Sequence, residues 1–218
     1  MELWYPKAVK LEGGKMKTNG KYAKGWPLGL VVHYDAGSGN HKSTIASGIK
    51  NGYSYFTMAK DGTVYQNAEA NRWGSHAGKS GWMGLFDRVS DDLAGVEICC
   101  AGKLTEHAGE WYPHWCFKRN KLGKKVFVGG KPIALENRRY FKKSGKQSEG
   151  WYEKYTPQQE QSLLELIFWL KSQAPSVFKI ENVVGHDETS LSGKTDPGGS
   201  LSMSMKDYRN YLNEKLSK

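Results

Sequence analysis

The chain has 218 residues, 38% of them hydrophobic and 25% charged, which suits one domain with a sizeable core and excludes a disordered chain. A net charge of +10 points to an anionic partner: nucleic acid, a membrane surface or an anionic cell envelope. The most apolar stretch, residues 163–170, is too short to span a bilayer and contains Glu165, so a transmembrane segment is excluded.

Residues 1–26 are rich in Lys and Gly and read as an irregular N-terminal arm. They lack the apolar core of a signal peptide, so the expectation is cytoplasmic synthesis without one. Residues 30–34, Leu-Val-Val-His-Tyr, predict a buried strand. A Gly-Ser-Gly-Asn loop follows, and Ser43 is the expected cap of a helix running to about Lys50. Residues 53–58 and 63–65 flank Lys60-Asp61-Gly62 and predict a hairpin, because Gly supplies the positive φ a tight turn needs. Residues 95–100 predict another buried strand, interrupted by the carboxylate of Glu97.

From about 102 to 155 the pattern weakens into charges and glycines, read as an insertion bearing a small hairpin. Thr156, Pro157 and Gln159 then spell a helix start with a capping box, and Leu163, Leu166, Ile167 and Leu170 share one face. Residues 182–186 predict a short strand ending in His186, and 204–216 an amphipathic helix. The fold class expected is a single α/β domain over 27–218, a mixed central β-sheet flanked by helices, with an inserted subregion. The cysteines number three, two of them adjacent (Cys99, Cys100, Cys116), which argues for a reducing compartment and no disulfide framework. His107, His114 and Cys116 fit no tight ligand spacing.

His33 and His186 both end buried strands, where a rigid scaffold presents side chains to a cleft. Singly, each reads as well as an ordinary core or surface imidazole. Glu97 is costly to bury unless paired or used, although the solvated face of an edge strand is the plain alternative. The segment from Gly185-His186 to Lys194-Thr195-Asp196-Pro197-Gly198 resembles the closing motif of the zinc N-acetylmuramoyl-L-alanine amidases. Four more pieces resemble that family in its order: the strand ending in His33, the Lys-Asp-Gly hairpin, His76-Ala77-Gly78, and Gly95-Val96-Glu97-Ile98.

The resemblance implies that His33, His186 and Asp196 bind zinc. Two imidazoles and a carboxylate suit that ion and leave its fourth position open to water. It also implies Glu97 as general base and acid, and Lys194 as the cation for a developing oxyanion. His76 is read as a substrate contact, with a structural role or a ligand role as alternatives; Trp73 and Trp82 are read as groove walls and Tyr55 as facing the cleft. Two features depart from the family: Tyr53-Ser54-Tyr55-Phe56 lacks the His that many members carry there, and the 102–155 insertion exceeds the usual length. The implied reaction is hydrolysis of the amide between N-acetylmuramic acid and L-alanine in peptidoglycan, with anionic cell-envelope polymers as further partners. The expected role is a phage endolysin or other wall-lytic enzyme; a cytoplasmic recycling amidase and a non-catalytic peptidoglycan-binding module are the alternatives. No nucleic-acid motif accompanies the charge, so no nucleic-acid partner is expected.

Overall fold

The computed structural model describes residues 1–11, 16–53, 55–84 and 89–217. Its central sheet has six strands: β1 (Val9–Lys10), β2 (Gly29–Tyr34), β3 (Phe56–Met58), β4 (Val64–Gln66), β5 (Leu93–Ile98) and β6 (Val183–Gly185), in the order β1-β4-β3-β5-β2-β6. Only the β3–β4 hairpin is antiparallel; the other neighbours run parallel, so the sheet is mixed. The hairpin turns where the Asp-Gly pair places it, with Gly62 at φ +85° and its N–H donating to Ala59 O at 3.0 Å. Ser54, part of the predicted first strand, lies outside the described residues.

Side chains alternate across a strand, so β2 divides its residues between two layers. Leu30 and Val32 face the larger core, with Val96 and Ile98 of β5 and the apolar face of α2 (Pro157–Gln173). Leu163, Leu166, Ile167 and Leu170 are all fully buried there. Val31 faces the opposite side with Leu93, Val184, Val89 and Ala77. His33 shares the parity of Val31 and so emerges on that second face. Helix α2 starts as its sequence predicts: Thr156 Oγ1 accepts from Gln159 N at 3.1 Å, and Gln159 Oε1 accepts from Thr156 N at 3.0 Å.

Helix α1 (His41–Asn51) begins one turn fraction earlier than expected, because Asn40 Oδ1 accepts from Lys42 N at 3.1 Å. The hydroxyl of Ser43 donates to Asn40 O instead of capping. The first 26 residues are not set apart. β1 extends the sheet edge, and Tyr5, Tyr22 and Trp26 are buried, with Trp26 Nε1 donating to Leu170 O at 3.0 Å.

The inserted region holds three two-stranded hairpins where one was expected: Thr105–His107 with Glu110–Tyr112, Phe117–Arg119 with Lys125–Phe127, and Arg138–Phe141 with Gly150–Glu153. Isolated hairpins are marginal in water. Here rings join them: His107 stacks on Phe127 at 4.2 Å, Tyr112 meets Phe127 at 4.8 Å, and Trp111 meets Trp151 at 5.7 Å. Lys60–Glu153 (2.8 Å) and the Tyr155 N bond to Ser200 O (2.8 Å) fasten the region to the body. A short helix, α3 (His186–Thr189), follows β6, and α4 (Met205–Leu216), capped by Ser204, closes the chain. Among the described residues no helix is long and apolar enough to cross a membrane. The three cysteines are free and buried.

Candidate active site

Three side chains distant in sequence meet at the C-terminal ends of β2 and β6. His33 Nδ1 and His186 Nδ1 lie 3.1 Å apart, and each is 2.9 Å from Asp196 Oδ2. The outer ring atoms fix what these inner atoms carry. His76 Nε2 is 3.0 Å from Leu93 O, a carbonyl that can only accept, so His76 holds its proton there. Its Nδ1 then accepts from His33 Nε2–H at 3.0 Å, which leaves His33 Nδ1 with a bare lone pair. Likewise His186 Nε2 donates to Ala77 O at 3.2 Å and leaves a lone pair on its Nδ1.

Two imidazole nitrogens and a carboxylate oxygen thus converge on one point, a donor set able to hold a cation. The spacings are close to the roughly 3.3 Å that ligands keep around tetrahedral zinc at about 2.0–2.1 Å. The donor set fits that ion, and no other such cluster occurs among the described residues. Burial, then the neighbouring imidazoles, push His33 down to about 4 and His76 down to about 3, so both stay neutral near pH 7.

The ligand loop is held from below. Asp187 N donates to Asp196 O at 2.8 Å, and Gly198 N donates to Asp187 Oδ2 at 3.1 Å. Arg209 of α4 grips both oxygens of Glu188 at 2.8 and 2.9 Å and also donates to Val183 O at 3.0 Å. Tyr155 donates its hydroxyl to His33 O at 3.1 Å, and Tyr34 bonds Thr195 beside the ligand Asp196.

The cluster opens into a cleft of about 730 Å³ lined by Glu97 and Lys194 as well as the three ligand candidates. Glu97 is in register with His33 on the adjacent strand, which sets the carboxylate beside the imidazole on one sheet face. Burial, then the charges of Asp196 and Asp35, raise Glu97 to about 8, with Lys194 opposing. A carboxyl so perturbed in the lining of a cleft is a candidate proton-transfer group.

A model of the family described as N-acetylmuramoyl-L-alanine amidase matches residues 23–199, most of the chain. The chain belongs to that amidase family. Its enzyme class is therefore N-acetylmuramoyl-L-alanine amidase. No curated protein matches the chain. Among solved structures, a selenomethionine derivative of AmpD is 19% identical over 96% of this chain and 97% of its own, with a TM-score of 0.55. AmpDh3 from Pseudomonas aeruginosa, in complex with anhydromuramic pentapeptide, is 17% identical over 93% of this chain and 66% of its own, at 0.53. The amidase AmiD from E. coli, with anhydro-N-acetylmuramic acid-L-Ala-D-gamma-Glu-L-Lys, is 19% identical over 90% of this chain and 63% of its own, at 0.52. These likenesses establish the amidase fold.

Three contacts expected at the amidase cleft, Tyr55, Trp73 and Trp82, lie elsewhere. Tyr55 is fully buried in the core, its hydroxyl 3.2 Å from that of Tyr22 and donating to Ala70 O at 3.3 Å. Tyr53 lines the cleft in its place. Trp73 pairs across a small two-stranded ribbon with Gly20 and is not among the residues lining the cleft. Trp82 packs on the Val31 cluster beneath the Arg209 guanidinium, 5.2 Å from its ring, and borders a separate pocket. His76 does line the cleft, and its ring nitrogens contact Leu93 O and His33 Nε2, each at 3.0 Å, so it also supports His33. The sequence reading missed Tyr34, Lys103, His114 and Tyr155. The inserted region brings Lys103 and His114 to the cleft, and no local pattern announces that.

Proposed function

We propose that this amidase is zinc-dependent, that it cleaves the bond between the lactyl group of N-acetylmuramic acid and L-alanine, and that it acts lytically on intact wall. His33, His186 and Asp196 would hold the ion, which when bound supplies Lewis acidity and lowers the pKa of water to about 7. Glu97 takes the proton of the attacking water and returns it to the amide nitrogen as the C–N bond breaks. Lys194, at the cleft lip, supplies a cation to the carbonyl oxygen as it becomes negative. His76 keeps His33 in the tautomer that can bind a metal.

The observation that carries this reading is the convergence of two imidazole nitrogens and a carboxylate oxygen next to a carboxyl raised by its surroundings. Metal analysis, with mass spectrometry of digested peptidoglycan, tests it: about one zinc per chain and new alanine amino termini are expected. Glu97→Gln should keep the metal and lose turnover by about 10²-fold or more; full activity in that variant removes Glu97 from the mechanism. The lytic role is supported by the +10 net charge, which suits a polyanionic wall. Turnover on intact sacculi should match or exceed that on small soluble muropeptides; activity confined to the small fragments defeats the lytic role.

A further inference from the structure

The positive charge of this chain is concentrated in one region. Residues 102–155, a quarter of the chain, hold thirteen Lys or Arg against five Asp or Glu, a net +8 of the total +10. Lys118, Lys121, Lys124, Lys131, Lys142 and Lys143 are exposed, and none is ion-paired among the described residues. Across the second hairpin Arg119 stands directly opposite Lys125. Like charges so placed oppose folding, and they find only neutral partners, Gly123 O and Thr105 Oγ1, each at 2.7 Å. The same region supplies Lys103 and His114 to the cleft, so it borders the site.

We propose that residues 102–155 form a docking face for a phosphodiester polymer carried covalently by the cell wall, and that this contact holds the cleft against its substrate. The inference rests on the amidase reading only for the identity of the wall as substrate. Ten of the thirteen cations are lysines, point charges that bind phosphate without demanding a fixed fork geometry, as an irregular polymer requires. A nucleic acid is the rival occupant: Phe117 and Phe127 are packed against each other and against Tyr112 and His107, but Trp115 and Tyr140 in the same region are exposed and open to stacking. Tethering by such a polymer raises the local concentration of scissile bonds without adding a contact at the cleft.

The test is cosedimentation of the full chain, briefly and on ice, with sacculi that retain their phosphodiester polymers and with sacculi stripped of them by hydrofluoric acid. Stripping should weaken binding about tenfold or more. The variant K118Q/K121Q/K124Q/K143Q should show the same loss on intact sacculi, no further loss on stripped ones, and unchanged turnover of a soluble muropeptide. Equal affinity for the two sacculi overturns the proposal, as does a natively melting variant that binds intact walls like the parent. Tighter binding to duplex DNA than to the released polymer, at matched phosphate, also overturns it and favours nucleic acid. Should the variant not fold, the comparison of intact and stripped sacculi on the unaltered chain decides. A parent protein that releases no alanine amino termini from soluble muropeptide would defeat the amidase mechanism and leave the binding comparison intact.

Discussion

At the scale of single residues, the site depends on Gly95 as much as on its ligands. A Cβ at that position would sit 2.7 Å from His76 Cγ, so only glycine lets the ring of His76 lie against β5 and reach His33. Gly95→Ala should displace the ring, and His76→Phe should keep a ring while removing both nitrogens. Either change frees His33 to rotate or to hold its proton on the metal-facing nitrogen. Zinc affinity, read by competition with a chromogenic chelator, should fall about 10–100-fold in both. Unaltered affinity in His76→Phe would show that the Leu93–His76–His33 chain does not set the tautomer. The three ligand candidates and Glu97 were legible in the sequence because each sits on a strand or in the segment that follows one, inside a motif, although the strand expected to end at His186 stops at Gly185 and His186 opens α3. Tyr55 was misplaced because ladder pairing begins at Phe56, so no strand register set its facing, and its ring goes into the core with its hydroxyl beside that of Tyr22. A structural role for His76 was one of the readings its sequence allowed, but its partner was not legible, since nothing near residue 76 tells that Gly95 on β5 lies beneath it.

At the scale of elements, local signals succeeded where local bonds decide and failed where distant packing does. The capping box of α2 and the Asp-Gly hairpin involve neighbours within a few residues, and both formed as predicted. The cap of α1 is the exception among local bonds: Ser43 was the expected cap, and Asn40 holds the position, its Oδ1 accepting from Lys42 N at 3.1 Å. The inserted hairpins are held by ring contacts between strands far apart in sequence, a pattern that shows no periodicity. A similar long-range dependence governs the ligand loop. Arg209 on α4 is the partner of Glu188 on α3, and Glu188 Oε2 also accepts from Gly185 N at 3.1 Å, so α4 clamps the segment that begins with His186. Arg209→Met keeps the stem that packs near Trp82 but strands a half-buried carboxylate. It should cost about 3 kcal/mol in denaturant unfolding and weaken zinc binding as well. A loss under about 0.5 kcal/mol would mean that Glu188 finds water as good a partner.

At the scale of the whole molecule, the same cluster ties stability to metal and to pH. An ion that binds only the native state adds about 4 kcal/mol at a thousandfold excess over its dissociation constant. For a chain of this size each kcal/mol shifts the midpoint by about 2–4 °C, so chelation should lower Tm by about 8–16 °C. The metal-free protein should then show a second dependence. Its folded imidazoles of His33 and His76 are pushed down to about 4 and about 3, burial being the largest cause, whereas in the unfolded chain both titrate near 6.5. Between these values the unfolded state takes up protons that the native state refuses, so the histidines' contribution to stability falls as pH drops below about 6.5, down to about 4 for His33 and about 3 for His76. Each such histidine contributes up to about 1.4 kcal/mol per pH unit in that window. Glu97 and Asp187, both raised to about 8 chiefly by burial, keep their protons in the native state over the same range and oppose this loss. The comparison of parent with variant therefore reads the histidine. In thermal melts of chelated protein from pH 7 to 4.5, the parent should lose more stability towards acid than His76→Phe, by one histidine's share, even though the variant starts from a lower midpoint. An equal slope in parent and variant would mean that His76 takes up its proton as readily folded as unfolded, which two engaged ring nitrogens in a buried site do not allow.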